Sequence, residues 1–356
     1  PRYPGSMDFD WVHNWALARG CIRGVIEQTG VDPHDIAAVS TTCMREGIVL
    51  YDKDGQEIWA CANVDARSAD EVAQLVHMNP ELEKQIYRES GQTYALGALP
   101  RLFWVKNKMP EVYEKTAVCT MFNDWLIYKM TGVFSSEPSN ACTTGIFDLK
   151  ARDWDDQIAA SIGLKTGIFP KISECGTVVA QVGAKGAAET GLAEGTPVVA
   201  GGGDAQLGCV GVGVVDANQA AIFGGSFWQY EYNTDEAKTD EHCRVRVNCH
   251  SVPGIWQYEA LAFKPGMVMR WYRDAFCQYE KELSKTTGRD PYDLMNEKAK
   301  DIPAGCYGMM CAFSDVMNYI SWRHASPMFI NFDFDPDKFN RYTFYRAIME
   351  NTAMVT

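Results

Sequence analysis

The stretch TPVVAGGGDAQLG, residues 196–208, sets one carboxylate, Asp204, behind three consecutive glycines at the end of an apolar run. An acid in that position can accept the proton of an attacking hydroxyl. It can also simply occupy a tight turn and cap the helix that follows. Gln206, two residues on, offers an amide to the same ligand. A second glycine turn, FGGSFW at 223–228, presents Gly224, Gly225 and Ser226. Backbone amides exposed by glycine, with a nearby hydroxyl, can cradle phosphate oxygens; an ordinary strand-end turn is the alternative. In MREGIVLY, Arg45 and Glu46 are adjacent at the end of one strand and before another. Neighbours on a strand point to opposite faces, so they are not a simple ion pair. Either one of them is aimed at a ligand or the two are a solvated edge pair. In NVDARSAD, Asp65 and Arg67 share a face at i and i+2, as a substrate contact or as a local salt bridge worth little.

Other chemistries lack their residues. GxGxxG fails in every register through GGGDAQLGCVGVGVV, and GxxxxGK[ST] is absent, so neither a dinucleotide fingerprint nor a P-loop is present. The six histidines show no HxxxH or HExxH spacing, and the twelve cysteines lack CxxC pairs. Scattered cysteines read as reduced thiols, which places the protein in the cytoplasm. A formal charge of −13 with both signs interspersed suits neither nucleic acid nor an anionic membrane surface. The longest apolar glycine-containing run, LGCVGVGVV, falls far short of the ~20 residues of a membrane span. A small neutral or polar ligand is the better match.

The elements that position these residues follow from periodicity. Trp15, Ala18, Ile22, Val25 and Ile26 recur at helical spacing before Gly30. IAAVSTT reads as a strand, and GIVLY and EIWACA as a hairpin around Asp54 and Gly55, all expected in one sheet. Helices are expected at ADEVAQLVHM, PRLFWVKNKM and NDWLIYKMTG, the last with Gly132 as a left-handed stop. Further on the pattern gives DDQIAASIGL as helix, the buried strand ending in GGGD, strands in ANQAAIFGGSFWQYEYN, and helices at GMVMRWYRDAF, DPYDLMNEKAK and RYTFYRAIMEN. This is an α/β chain whose 356 residues suffice for two cores, with a boundary between Gly208 and Val215. It opens PRYPGSMDFD and stops within RAIMENTAMVT, and both ends are expected to be cut.

Taken in order, these segments resemble the FGGY family of carbohydrate kinases. PGSMDFD resembles the family's PGxxExD, MREG its substrate-binding Arg-Glu region, and NVDAR its WxDxR stretch. DWLIYKMTG is similar to DYLxxxLTG, PSNACTTGIFDLKARDW to the D-x-SNA...W signature, and GLAEGTPVVAGGGDAQLG to GxPVxxGxxD, which carries the family's catalytic Asp. FSDVMNYISWRHASPMFIN stands where other members have a GERxP-type segment, and Asn63 where many have Trp. The family's DxGTxSxR loop and GGGxxS segment are not in the sequence.

The resemblance implies an actin-like, ribonuclease-H-like ATPase fold: two lobes around a cleft, residues 1–212 on the substrate side and 213–356 an incomplete nucleotide side. It implies ATP and Mg²⁺ as cofactors, and transfer of phosphate to a primary hydroxyl of a small polyhydroxy carbonyl compound, open-chain where the Trp is lost. Asp204 would be the catalytic base and reach Mg²⁺ through water. Arg45 and Glu46, with Asp65 and Gln206, would bind substrate; Gly224, Gly225 and Ser226 would hold phosphate oxygens. The implied partners are that sugar-like molecule, a phosphotransferase-system carrier protein and a second copy in a homodimer. A xylulose-, ribulose- or glycerol-type kinase is the competing enzyme reading, and a non-catalytic sugar-phosphate sensor the competing binding one. The glycines before Asp204 are expected to let substrate and phosphate approach the backbone.

Overall fold

Regular structure begins with helix α1 (Trp11–Thr29), which Asp10 caps by accepting the His13 N–H, and which Gly30 ends at φ 66° with its own N–H returned to Ile26. The computed structural model describes residues 3–94, 97–262, 264–313 and 327–355. Most of the segment FSDVMNYISWRHASPMFIN lies outside them. Strand β1 (Val39–Cys43) leads through a turn into the hairpin β2 (Ile48–Tyr51) and β3 (Glu57–Cys61), with Gly55 at φ 73° in the connection. Helices α2 (Ala69–Met78), α3 (Leu82–Ser90), α4 (Ala98–Lys108) and α5 (Pro110–Lys115) follow, then β4 (Val118–Met121) and α6 (Phe122–Thr131), which Gly132 stops at φ 74°. The one-turn helix α7 (Pro138–Ala141), the two-residue strands β5 (Phe147–Asp148) and β6 (Asp153–Trp154), and α8 (Asp156–Ser161) lead to β7 (Val178–Gln181) and α9 (Ala184–Thr190). Strand β8 (Pro197–Gly203) then runs directly into α10 (Asp204–Gly211).

The expected single sheet is two. β1 pairs parallel with β8, and β8 antiparallel with β7, whereas β2 lies between β3 and β4 in a separate antiparallel sheet. The break falls at residues 44–47, where Glu46 takes a left-handed φ of 67° that a continuing strand cannot use. Helix α4 is buried from Ala98 to Val105, as a helix packed on every side must be. It shares one apolar core with β2, β3 and α8, while α1, the other side of β2 and α6 enclose a second.

Beyond α10 come β9 (Ala220–Gly224), β10 (Trp228–Thr234), β11 (Arg246–Cys249) and β12 (Trp256–Ala262), hydrogen-bonded in the order β11-β12-β10-β9. Helices α11 (Pro265–Phe276), α12 (Gln278–Thr287) and α13 (Pro291–Ala299), the hairpin β13 (Met310–Ala312) and β14 (Met328–Ile330), and α14 (Arg341–Val355) complete the chain. By contacts it forms two compact units, one of residues 1–220 with 232–258, the other of 221–231 with 259–356. A boundary near 212 thus differs from this partition, because 213–220 and 232–258 make their contacts within the first unit: Asn233 donates to Val214, and Arg246 to Gln92. The second unit has its own core, built on Val268, Tyr272, Met295, Tyr345 and Ile348. Among the described residues no helix is long and apolar enough to cross a membrane.

Gly186 shows how tightly α9 seats on α6: a Cβ there would stand 2.0 Å from the Met130 carbonyl oxygen. Helix propensity alone favours Ala over Gly by about 1 kcal/mol. The contact is with backbone, which cannot swing aside, so the steric cost wins. Gly186→Ala is expected to destabilise the protein by about 1–3 kcal/mol net, as overpacking does, measured as a fall in the urea midpoint; an unchanged or raised midpoint would show that α9 does not seat as described.

Candidate active site

Three turns of the first unit carry the candidate residues, and one buried cation joins two of them. Arg101 projects from α4 and is fully buried. Its guanidinium donates to the carbonyls of Glu46 (2.5 Å), Asn63 and Asp65 (3.2 and 3.3 Å). Carbonyl partners satisfy the planar fork's donors, so turn 44–47 and turn 62–67 are held in one geometry. The unusual φ of Glu46 is maintained by this clasp.

Arg45 and Glu46 lie in that turn and not on a strand, so strand alternation does not govern them. Nor are they a solvated pair, at 3% and 6% exposure. Glu46 Oε1 accepts from Arg246 Nη1 at 2.7 Å, a buried ion pair. Arg246 Nε also donates to Gln92 Oε1 at 2.7 Å, and Gln92 Nε2 donates to the Val247 carbonyl and Asn248 Oδ1, each at 3.0 Å. The Arg45 stem runs beside Gly203: a Cβ on Gly203 would stand 2.9 Å from Arg45 Cγ and 2.5 Å from Gln206 Oε1.

Asp65 is committed elsewhere. Its Oδ2 accepts the Met7 N–H at 2.5 Å, and both oxygens accept from Arg67 at 2.6–2.9 Å. Arg67 also bonds to Asp8 and lies against the rings of both Trp59 and Trp104, 5.2 and 5.0 Å from their centroids. Burial disfavours the guanidinium charge, yet the hydrogen bonds from Asp65 and Asp8 outweigh it and raise its pKa. The pair is therefore a buried structural bridge, not the weak surface one the spacing suggested.

The glycines before Asp204 have a different use from the one expected. A Cβ on Gly201 would lie 1.6 Å from the Thr41 carbonyl oxygen, and one on Gly202 2.7 Å from Ser251 Oγ and 2.9 Å from Ser139 Oγ. The protein's own groups fill the space their missing side chains leave. The helix N-cap is Gly203, so Asp204 is the first residue of α10 and not its cap; its Oδ1 accepts the Ala205 N–H at 2.9 Å. Asp204 is exposed, while Gln206, one turn edge away, is fully buried. Neither polar atom of the Gln206 amide has a hydrogen-bond partner among the described residues.

In the second unit, Gly224, Gly225 and Ser226 end β9 and are exposed. The Gly225 N–H donates to the Phe227 carbonyl at 2.9 Å. A Cβ on Gly225 would meet only that oxygen, at 3.7 Å, so one edge of the turn is open to an anion. The turn is seated on the start of α11: a Cβ on Gly266 would be 1.9 Å from the Gly225 carbonyl oxygen. Among the described residues no group of three His, Cys, Asp or Glu could hold a metal ion.

Under β8 lies a polar cluster that the sequence reading did not assign. Glu137 caps α7, accepting from the N–H groups of Ser139 (2.6 Å) and Asn140 (3.0 Å), from Ser139 Oγ (2.6 Å), Asn123 Nδ2 (3.2 Å) and Cys175 Sγ (3.2 Å). Asp124 Oδ2 accepts from Ser136 Oγ at 2.7 Å and the Met121 N–H at 3.2 Å. Burial, and then repulsion from Glu137, push the Asp124 carboxyl well above its ordinary pKa. Burial raises Glu137 too, against its hydrogen bonds. The local signal for the cluster was EPSNA, with an acid, a Pro at the first helical position and two short polar residues. Arg101 and Arg246 were missed as well; Arg101 is a lone charge within an apolar pattern, ALPRLFWV, whereas Arg246 follows Arg244 in CRVRVNC and carries no such signal.

Most of the first unit falls within one family match: residues 3–211 match the model described as "FGGY family of carbohydrate kinases, N-terminal domain". An autoinducer-2 kinase of Enterobacter sp. (strain 638) is 48% identical over 354 residues, 99% of this chain and 67% of that protein. One of Escherichia coli (strain K12) is 47% identical over 357 residues, 100% of this chain and 67% of that protein. The chain therefore spans about two thirds of the length of these relatives. Among solved structures, a xylulose kinase from Rhodospirillum rubrum matches with a TM-score of 0.81 at 22% identity, covering 99% of this chain and 70% of that one. Plasmodium falciparum glycerol kinase with ADP matches with a TM-score of 0.80 at 18% identity, covering 99% and 69%. The fold is the one these kinases share.

A raised carboxyl pKa makes the folded state the stronger proton binder. Stability then falls as pH rises above the ordinary aspartate range and through the raised value. Asp124→Asn keeps an acceptor for Ser136 and Met121 but carries no charge. Its melting temperature, read by calorimetry, is expected to decline less than the parent's between pH 4 and 8; parallel profiles would show that Asp124 does not titrate in this way.

Proposed function

Because the chain belongs to the FGGY family of carbohydrate kinases, we propose that it is the substrate side and part of the nucleotide side of an autoinducer-2 kinase, which transfers the γ-phosphoryl group of ATP to a primary hydroxyl of the linear signal precursor dihydroxypentanedione. The reading is carried by one arrangement: Asp204, exposed, follows directly on Gly203, against which the buried Arg45 and Gln206 pack.

In this reading Asp204 accepts the proton as the hydroxyl oxygen attacks phosphorus in line, the new O–P bond forming while the bond to the ADP oxygen breaks. Phosphoryl transfer asks a protein for position and charge stabilisation more than for covalent chemistry. Arg45 donates to a substrate hydroxyl or hydrated carbonyl oxygen, and the Gln206 amide both donates and accepts. Glu46, already bonded to Arg246 through one oxygen, accepts from a second hydroxyl. Asp65 acts only through Arg67 and the turn and does not touch substrate. Gly224, Gly225 and Ser226 hold phosphate oxygens, and the open edge of Gly225 fits that role. Mg²⁺, when bound, would supply charge neutralisation, and Asp204 would be the residue that helps to hold it. Asn63, in place of an indole, suits an acceptor with no ring to stack.

Asp204→Asn, made in the protein at the full length of its relatives, is expected to lower kcat by roughly 10²- to 10⁴-fold, the usual contribution of a general base. Acceptor binding by calorimetry should stay within about threefold, since an amide conserves size and hydrogen bonding. Near-normal turnover would exclude the role. With ADP release as the readout, dihydroxypentanedione should give a higher kcat/KM than xylulose, ribulose or glycerol; a preference for one of those would keep the base and overturn the substrate.

A further inference from the structure

We propose that Ser139 is a positioning residue for Asp204, its hydroxyl holding the Gly203 peptide from which the acid projects. The inference rests on Asp204 being the base. A serine hydroxyl has a single proton, and here its direction is settled. Oγ lies 2.6 Å from Glu137 Oε2, which accepts it, so the Oγ lone pairs are left for the Gly203 N–H at 3.0 Å. Glu137 in turn is fixed by two backbone amides, Asn123 and Cys175. Hydrogen bonds in such a chain polarise one another, so the bond to Gly203 is stronger than an isolated one.

Ser139 is fully buried. Its Oγ also packs on Gly202, close enough that any Cβ there would collide. The last two residues of β8 are therefore gripped from both directions, Gly202 and Gly203 by Ser139 and Gly203 by Arg45 and Gln206. Asp204 comes next in the chain, at the first position of α10. Removing the hydroxyl frees a buried N–H and lets that peptide rotate. The Asp204 carboxylate, one residue further on, moves with it, and a displacement of about 1 Å costs a reaction roughly 10²-fold.

Ser136 is the control for a merely structural role. It donates to buried Asp124 in the same cluster at 2.7 Å, but has no bond to β8. In the protein at the full length of its relatives, Ser139→Ala is expected to lower kcat by about 10- to 100-fold with KM for the acceptor within about threefold. Ser139→Cys, a weaker acceptor of similar size, should fall between it and the parent. Ser136→Ala should lower the melting temperature and leave kcat within about twofold. Should Ser139→Ala not fold, Ser139→Cys decides, and a parental kcat overturns the inference. It is equally overturned if Ser139→Ala keeps kcat within about twofold of the parent while Asp204→Asn is inactive, or if Ser136→Ala loses kcat to the same degree. Activity retained by Asp204→Asn would instead remove the reading on which the inference stands.

Discussion

A guanidinium buried, among the described residues, without a carboxylate partner is the constraint on which turns 44–47 and 62–67 depend. Arg101 cannot leave its charge undirected in an apolar helix core, and three backbone carbonyls from two separate turns satisfy it. The same bonds satisfy those carbonyls, which strand pairing no longer can. Each side thus removes the other's desolvation cost. The outcome is a Glu46 backbone fixed at φ 67°, a conformation that a non-glycine residue keeps only when its surroundings determine it. Lysine, a point charge with three donors, could not reach the same set of acceptors in one plane.

A comparable logic orders the layer under β8. Three glycines give the strand end no side chains of its own, so its position is set by what packs into the gaps: Thr41, Ser139 with Ser251, and Arg45 with Gln206. The Ser139 contact is a hydrogen bond to Gly203 and leads to the Glu137 cluster. An acid carried on a strand end without such support would inherit the looseness of glycine backbone. Here the flexibility is removed by hydrogen bonds and sterics, and the glycine composition becomes the means of close packing.

Elements governed by local rules were legible in the chain. Gly30 and Gly132 end their helices in the left-handed conformation that the spacing predicts, and Gly55 turns the hairpin. The position of Asp204 between an apolar strand and a helix could be read as well. What could not be read is pairing at a distance. Glu46 meets Arg246 across 200 residues, and no local period announces it. Turn 44–47 looks like strand because its positive φ falls on Glu46 and not on the neighbouring Gly47. The spacing of Asp65 and Arg67 shows that they can touch, but their burial against two tryptophans lies outside the motif.

Exposure then separates the roles that the chemistry requires. Recognition gains from a low dielectric, where each hydrogen bond to a hydroxyl is stronger than in water. Arg45, Glu46 and Gln206 occupy such positions, at 3%, 6% and 0% exposure. A base has the opposite need, because the proton it takes in each turnover must return to solvent before the next. Asp204 is exposed, and Gly203 beside it lies against the buried Arg45 and Gln206. Burying Asp204 to the depth of Asp124 would hold its proton, as burial and Glu137 hold it on that residue. The chain thus contains an aspartate of each kind, Asp124 buried beside a second carboxylate and Asp204 exposed.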